Sequence, residues 1–177
     1  MDILISSNLE RLVYKIAGND AEMDVALMKA LSADGNYEIS SEMKAQLEDF
    51  YGNYASEAET AEEIFKVYDD TGYVLDTHTA VASAVYGKYV AETGDTKKAV
   101  IASTASPYKF APAVMKAIFD LEFEDEYECT TALEAKTGVP MPAPLKALAD
   151  AEVLHTDVID RDDMTSYVET VVKEMFS

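Results

Sequence analysis

A helix-rich α/β fold with a few strands of an incomplete sheet is what this sequence predicts, and three observations carry that expectation. Apolar residues recur at three- and four-residue spacing along most of the chain, the period that one buried helix face requires. Most of these stretches open on Ser, Asn or Asp and close on Gly, the residues that cap a helix at its two ends. Between two of them lies Lys98-Ala99-Val100-Ile101-Ala102, an apolar run that leads through Ser103-Thr104-Ala105-Ser106-Pro107 into another helical stretch. Buried strand, polar turn and helix is the grammar of an open sheet, whose ligands bind at the carboxyl ends of its strands.

Taken in order, Ile3-Leu4-Ile5 reads as a short strand or a buried lead-in segment. Ser6 or Ser7 caps a first helix with the stripe Leu9, Leu12, Val13 and Ile16, closed by Gly18. Asn19 or Asp20 caps a second, with Met23, Leu27, Met28 and Leu31, which ends at Gly35. A third is expected from Ser40 or Ser41 through Met43, Leu47, Phe50 and Tyr51 to Gly52, and a fourth carries Ile64, Phe65, Val67 and Tyr68 up to Gly72. Tyr73-Val74-Leu75 is β-prone and leads into Asp76-Thr77-His78-Thr79, which caps a helix of small residues that closes at Gly94. Gly87 inside that helix suggests the close approach of another backbone. Further helices are expected around Val114 to Phe119, Tyr127 to Lys136, Leu145 to Asp150 and Asp162 to Phe176. Prolines at 140, 142 and 144 make the stretch before Leu145 extended.

Charge narrows the function classes. The chain has 177 residues, with 14 Lys and Arg against 34 Asp and Glu, a net charge of −20. Duplex nucleic acid and anionic membranes both demand clustered cations, so neither is an expected partner. With only Arg11 and Arg161, an arginine cluster for phosphate is absent as well. The composition is 49% hydrophobic, and a chain this long buries roughly 70% of its unfolded surface. One domain over residues 1–177 is the expected organisation. A single cysteine, Cys129, excludes an intrachain disulfide and a cysteine-cluster metal site. No apolar run approaches the ~18 residues of a membrane span, and the start has no basic, then apolar leader. The expected compartment is the cytoplasm.

Few residues carry chemistry. His78 lies at a helix start beside Asp76 and Thr79; on residue physics alone the latter two are caps and His78 a bystander. Asp76 with His78 makes a weak metal pair without a second cluster, so no metal site is expected. His155 is a packed or surface residue, and Cys129 on an acidic helix lacks the positive surroundings of a reactive thiolate. The acidic run Glu122, Glu124, Asp125, Glu126 and Glu128 reads as a solvated face. Ser103, Thr104 and Ser106 place three hydroxyls in four positions between a strand and a helix. They either cap that helix or present hydrogen-bonding groups to a ligand.

Three of these segments together carry a family resemblance. Asp2 to Leu12, DILISSNLERL, resembles the DILISSNLERLLY stretch of threonine synthases. Gly72 to Ala82, GYVLDTHTAVA, resembles that family's GY-x-x-DPHTAVA, with Thr77 where many members have proline. Ser103 to Phe110, STASPYKF, resembles its STASPxKF or TAHPAKF. The three occur in the family's order, and the resemblance covers essentially the whole chain. It implies the C-terminal portion of a fold-type-II (tryptophan-synthase-β-like) pyridoxal-phosphate enzyme that converts O-phosphohomoserine and water to threonine and phosphate. It further implies that the Schiff-base lysine and the glycine-rich phosphate loop lie upstream of Met1, so that no catalytic lysine belongs to this chain and the chain by itself is inactive. Thr104, with Ser103 beside it, falls at the position whose hydroxyl hydrogen-bonds the cofactor's pyridine nitrogen. Asp76, His78 and Thr79 are the substrate-side candidates.

An open strand edge at Lys98–Ala102 is further expected to promote self-association. An acidic helical binding module without catalysis is the alternative that charge and helical stripes also permit.

Overall fold

A computed structural model describes residues 6–176; Ile3-Leu4-Ile5 lies outside them. The chain divides into two compact units, Met1–Val139 and Pro140–Ser177. The first holds α1 (Ser7–Ile16), α2 (Ala21–Asp34), α3 (Ser41–Ala45), α4 (Glu57–Thr71), α5 (Thr77–Thr93), a 3-10 turn at Pro107–Phe110, α6 (Ala111–Phe119) and α7 (Glu126–Thr137). The second holds α8 (Ala143–Lys146), 3-10 turns at Ala147–Asp150 and Arg161–Asp163, and α9 (Met164–Met175).

The expected sheet is not formed. No residue among those described is in a strand, and the architecture is helical rather than α/β. Lys98–Ala102 is an irregular segment, not a buried strand: Val100 is 97% exposed and Ile101 37%. Tyr73-Val74-Leu75 is likewise unpaired, although Val74 and Leu75 are buried. An apolar run reports a preference for burial, whereas a strand needs a neighbouring backbone to take its N–H and C=O groups. With no strand among the described residues, the sheet edge proposed for self-association is absent there too.

Caps behave as their chemistry dictates. Ser6 Oγ accepts the Leu9 N–H at the start of α1, and Asp20 accepts those of Glu22 and Met23 at the start of α2. Ser56 and Glu59 form a reciprocal capping box at α4, which satisfies two N–H groups that a helix start leaves open. Gly72 and Gly94 end α4 and α5 at φ 74° and 69°, a left-handed conformation that a side chain would resist. Other expectations needed revision. The third helix stops at Ala45, because 46–50 wind into tight turns with bonds from Gln46 N to Met43 O, Leu47 N to Lys44 O and Phe50 N to Leu47 O. Gly87 has no atom within 4 Å of where a Cβ would stand, so no backbone crowds it. Pro142 and Pro144 sit at the cap and first turn of α8, where a missing N–H costs nothing.

The first unit is built on two packing centres. Val13, Leu27 and Met43 bring α1, α2 and α3 together, with Ile16, Met28, Tyr37 and Ile39 around them. The larger centre has α4 against α5 and α6, and α6 against α7. Ile64, Ala80, Val114, Met115, Cys129 and Leu133 are all but inaccessible within those four helices. Lys88 of α5 reaches Glu59 of α4 at 2.6 Å and the Tyr54 carbonyl at 2.9 Å. This second centre fixes the start of α5, where the candidate residues lie.

Candidate functional site

The start of α5 is organised by Asp76. Its backbone is extended (φ −79°, ψ 164°), and its Oδ1 accepts the N–H groups of His78 at 2.9 Å and Thr79 at 3.3 Å. Asp76 is 1% exposed, so a carboxylate is held inside the protein by two backbone donors, a side-chain hydroxyl and the positive end of a 17-residue helix. The hydroxyl belongs to Thr79, which contacts Asp76 Oδ2 and also lies 3.1 Å from Ser103 Oγ. That last contact spans 24 residues and joins the polar turn after Lys98–Ala102 to the helix start.

His78 is close by without being fully engaged. Its Nδ1 lies 3.5 Å from Asp76 Oδ1 but makes no hydrogen bond, and that atom is buried. Its ring packs on Phe110 with centroids 4.9 Å apart at 44°, while 32% of the side chain meets solvent. Phe110 ends the 3-10 turn that follows the Ser103–Ser106 turn. The two polar motifs are therefore joined twice, by Thr79 with Ser103 and by His78 with Phe110.

The hydroxyls of the turn divide by function. Ser106 is the cap, its Oγ accepting the Tyr108 N–H at 3.3 Å. Ser103 is tied to Thr79. Thr104 is exposed and caps nothing, and its hydroxyl has no hydrogen-bond partner among the described residues. Of the two roles open to these hydroxyls, capping goes to Ser106 alone.

The structure thus brings Asp76, His78, Thr79 and Ser103 together, with Thr104 next along the turn. Ser6 serves as the α1 cap, and His155 is exposed in the second unit. Cys129 is inaccessible in α7, its thiol pushed up by burial and then by Glu126. Sequence reasoning missed Phe110 as the partner of His78, although it closes the STASPYKF motif. The Thr79–Ser103 bond carried no sequence signal, since nothing local links positions so far apart.

Comparison with known proteins adds a family. The model described as "Threonine synthase, C-terminal" matches residues 79–171. Human threonine synthase-like 1 is 31% identical over 182 residues, covering 99% of this chain and 24% of its own length. Threonine synthase of Saccharomyces cerevisiae is 35% identical over 133 residues, covering 67% of this chain and 26% of its own. Among solved structures, the yeast enzyme superposes with a TM-score of 0.73 at 28% identity, over 98% of this chain and 35% of that one. A pyridoxal-phosphate-bound threonine synthase from Brucella melitensis does so with a TM-score of 0.70 at 29% identity, over 98% and 33%. The chain spans about a quarter of the length of these curated relatives.

Proposed function

This chain belongs to the threonine synthase family, and from that premise we propose that it supplies the C-terminal part of a cytoplasmic enzyme that converts O-phosphohomoserine and water to threonine and phosphate with pyridoxal phosphate. The observation that carries the reading is the junction of two motifs at one place, Asp76-Thr77-His78-Thr79 and Ser103-Thr104, through the Thr79–Ser103 bond. The donor set fits one end of the cofactor. Thr104 has an exposed hydroxyl with its hydrogen-bonding capacity unspent, which suits a pyridine nitrogen. Pyridoxal phosphate, when bound, supplies an electron sink for charge that develops on the substrate.

This chain's residues then have separate tasks. Thr104 holds the ring nitrogen through a neutral hydroxyl, which stabilises a protonated ring less than a carboxylate would. Ser103 fixes the turn against α5. Asp76 holds the start of α5 and the backbone of His78, and His78 lines the substrate side with the exposed part of its ring. The test is release of phosphate from O-phosphohomoserine by the intact enzyme, with His78→Gln and Ser103→Ala compared with the unaltered protein. The reading expects slower release in both at unchanged helix content. An acidic binding module predicts no phosphate release from any of the three.

A further inference from the structure

Thr79 Oγ1 has one proton for two oxygen neighbours. A threonine hydroxyl carries one hydrogen and two lone pairs, whereas an ionised carboxylate only accepts. Thr79 Oγ1 touches Asp76 Oδ2 and Ser103 Oγ together. Asp76 already accepts two backbone N–H groups on its other oxygen, so the Thr79 proton goes to Asp76. The 3.1 Å contact with Ser103 is then one in which Ser103 donates and Thr79 accepts.

Resting on the reading above, we infer that Asp76 acts through Thr79 as a positioning residue for the Ser103-Thr104 turn, drawing the Ser103 proton inwards so that Ser103 offers its ligand only lone pairs and Thr104 is left as the donor of the pair. Ser103 therefore receives a group that brings its own N–H or O–H, such as an ammonium, and does not stabilise an anion. Thr104 can give a proton to an unprotonated ring nitrogen. Two adjacent hydroxyls that look interchangeable in the sequence differ, Ser103 with its proton engaged and Thr104 still able to donate, and a carboxylate that touches neither ligand sets the difference.

Asp76→Asn separates this positioning from helix capping, because Asn caps a helix about as well as Asp. The Asn carbonyl keeps the two backbone donors, while its amide turns towards Thr79 and donates. The Thr79 proton then passes to Ser103, and the Ser103 proton turns outwards. Two measurements follow. First, equilibrium unfolding of the intact protein without cofactor is compared for Asp76→Asn, Ser103→Ala and the pair, in the native background and with Thr79→Val. Asp76 and Ser103 have no direct bond, yet the double substitution is expected to depart from the product of the singles by about threefold or more in the unfolding equilibrium. That coupling persists with Thr79→Ser and vanishes with Thr79→Val. Second, pyridoxal phosphate is added and its absorbance titrated with pH. Asp76→Asn turns a donor outwards beside Thr104, so the ring protonates at lower pH than in Asp76→Asn with Ser103→Ala, which loses the same charge without gaining that donor, and Thr79→Ser leaves the titration unchanged.

Absence of coupling in a folded double variant overturns the inference, even if the cofactor binds normally, and leaves the functional reading standing. Coupling without cofactor binding supports the relay and removes the functional reading. Equal titrations in Asp76→Asn and in Asp76→Asn with Ser103→Ala, with cofactor bound, overturn the assigned polarity.

Discussion

α6 and the run Lys98–Ala102 are similarly apolar and end in opposite surroundings. Val114 and Met115 of α6 are wholly inaccessible, whereas Val100 is 97% exposed. A helix satisfies its interior backbone groups itself, so α6 needed only apolar faces to meet, and α4 and α7 provide them. An extended run must find partners outside itself for its N–H and C=O groups, and no described residue is in a strand; Val74 and Leu75 are buried all the same, whereas Val100 is not. Apolarity alone therefore does not decide whether an extended segment is buried.

Substitutions that contrast these two regions should differ most in stability. Met115→Ala or Leu133→Ala removes a fully buried side chain and should cost about 2–5 kcal/mol, read by chemical denaturation. Val100→Ala should stay within about 0.5 kcal/mol, as for other surface changes. A large loss at Val100 would mean that the run is buried in solution.

The start of α5 lies between these extremes. Asp76→Ala removes an inaccessible cap and the acceptor of Thr79, and should cost about 1–2 kcal/mol in the same measurement. Asp76→Asn should cost only a few tenths of that range. Equal losses in the two variants would show that charge, not capping, holds this helix start.

A smaller effect concerns the joint between α4 and α5. The Glu59 carboxyl is drawn from 4.5 to about 2, first by its hydrogen bond with Lys88, then by the N–H and hydroxyl of Ser56. A depressed carboxyl stabilises the fold above its unfolded value and loses that contribution as pH falls through the folded one. The melting-temperature difference between the native protein and Lys88→Met should hold steady above pH 4.5 and narrow towards about 2. A difference that does not vary over that window would contradict the pairing.

Legibility in the sequence followed the range of the interactions. Ser6, Asp20 and Asp76 announced their caps because a cap and the N–H groups it satisfies lie within three residues; the equally local Ser56 box at α4 went unread. Gly18, Gly35, Gly72 and Gly94 announced left-handed helix ends for the same local reason. The third helix was overextended because its stripe of Met43, Leu47, Phe50 and Tyr51 continued past the point where the backbone tightens, leaving Phe50 58% exposed. The sheet was misread because composition cannot supply a partner strand. Within the candidate site, motif resemblance selected Asp76, His78, Thr79, Ser103 and Thr104. The bond that joins the first group to the second depends on tertiary packing and was not visible.

Thr104 is where the account is most exposed to failure, because the structure gives its hydroxyl no structural task. The direct measurement is pyridoxal-phosphate affinity of the intact enzyme beside its melting temperature, for the native protein, Thr104→Ala and Thr104→Ser. The account predicts weaker cofactor retention in Thr104→Ala at an almost unchanged melting temperature, with Thr104→Ser close to native in both. Normal affinity in Thr104→Ala, together with a melting temperature lowered as by the loss of about 1 kcal/mol of capping, would contradict it.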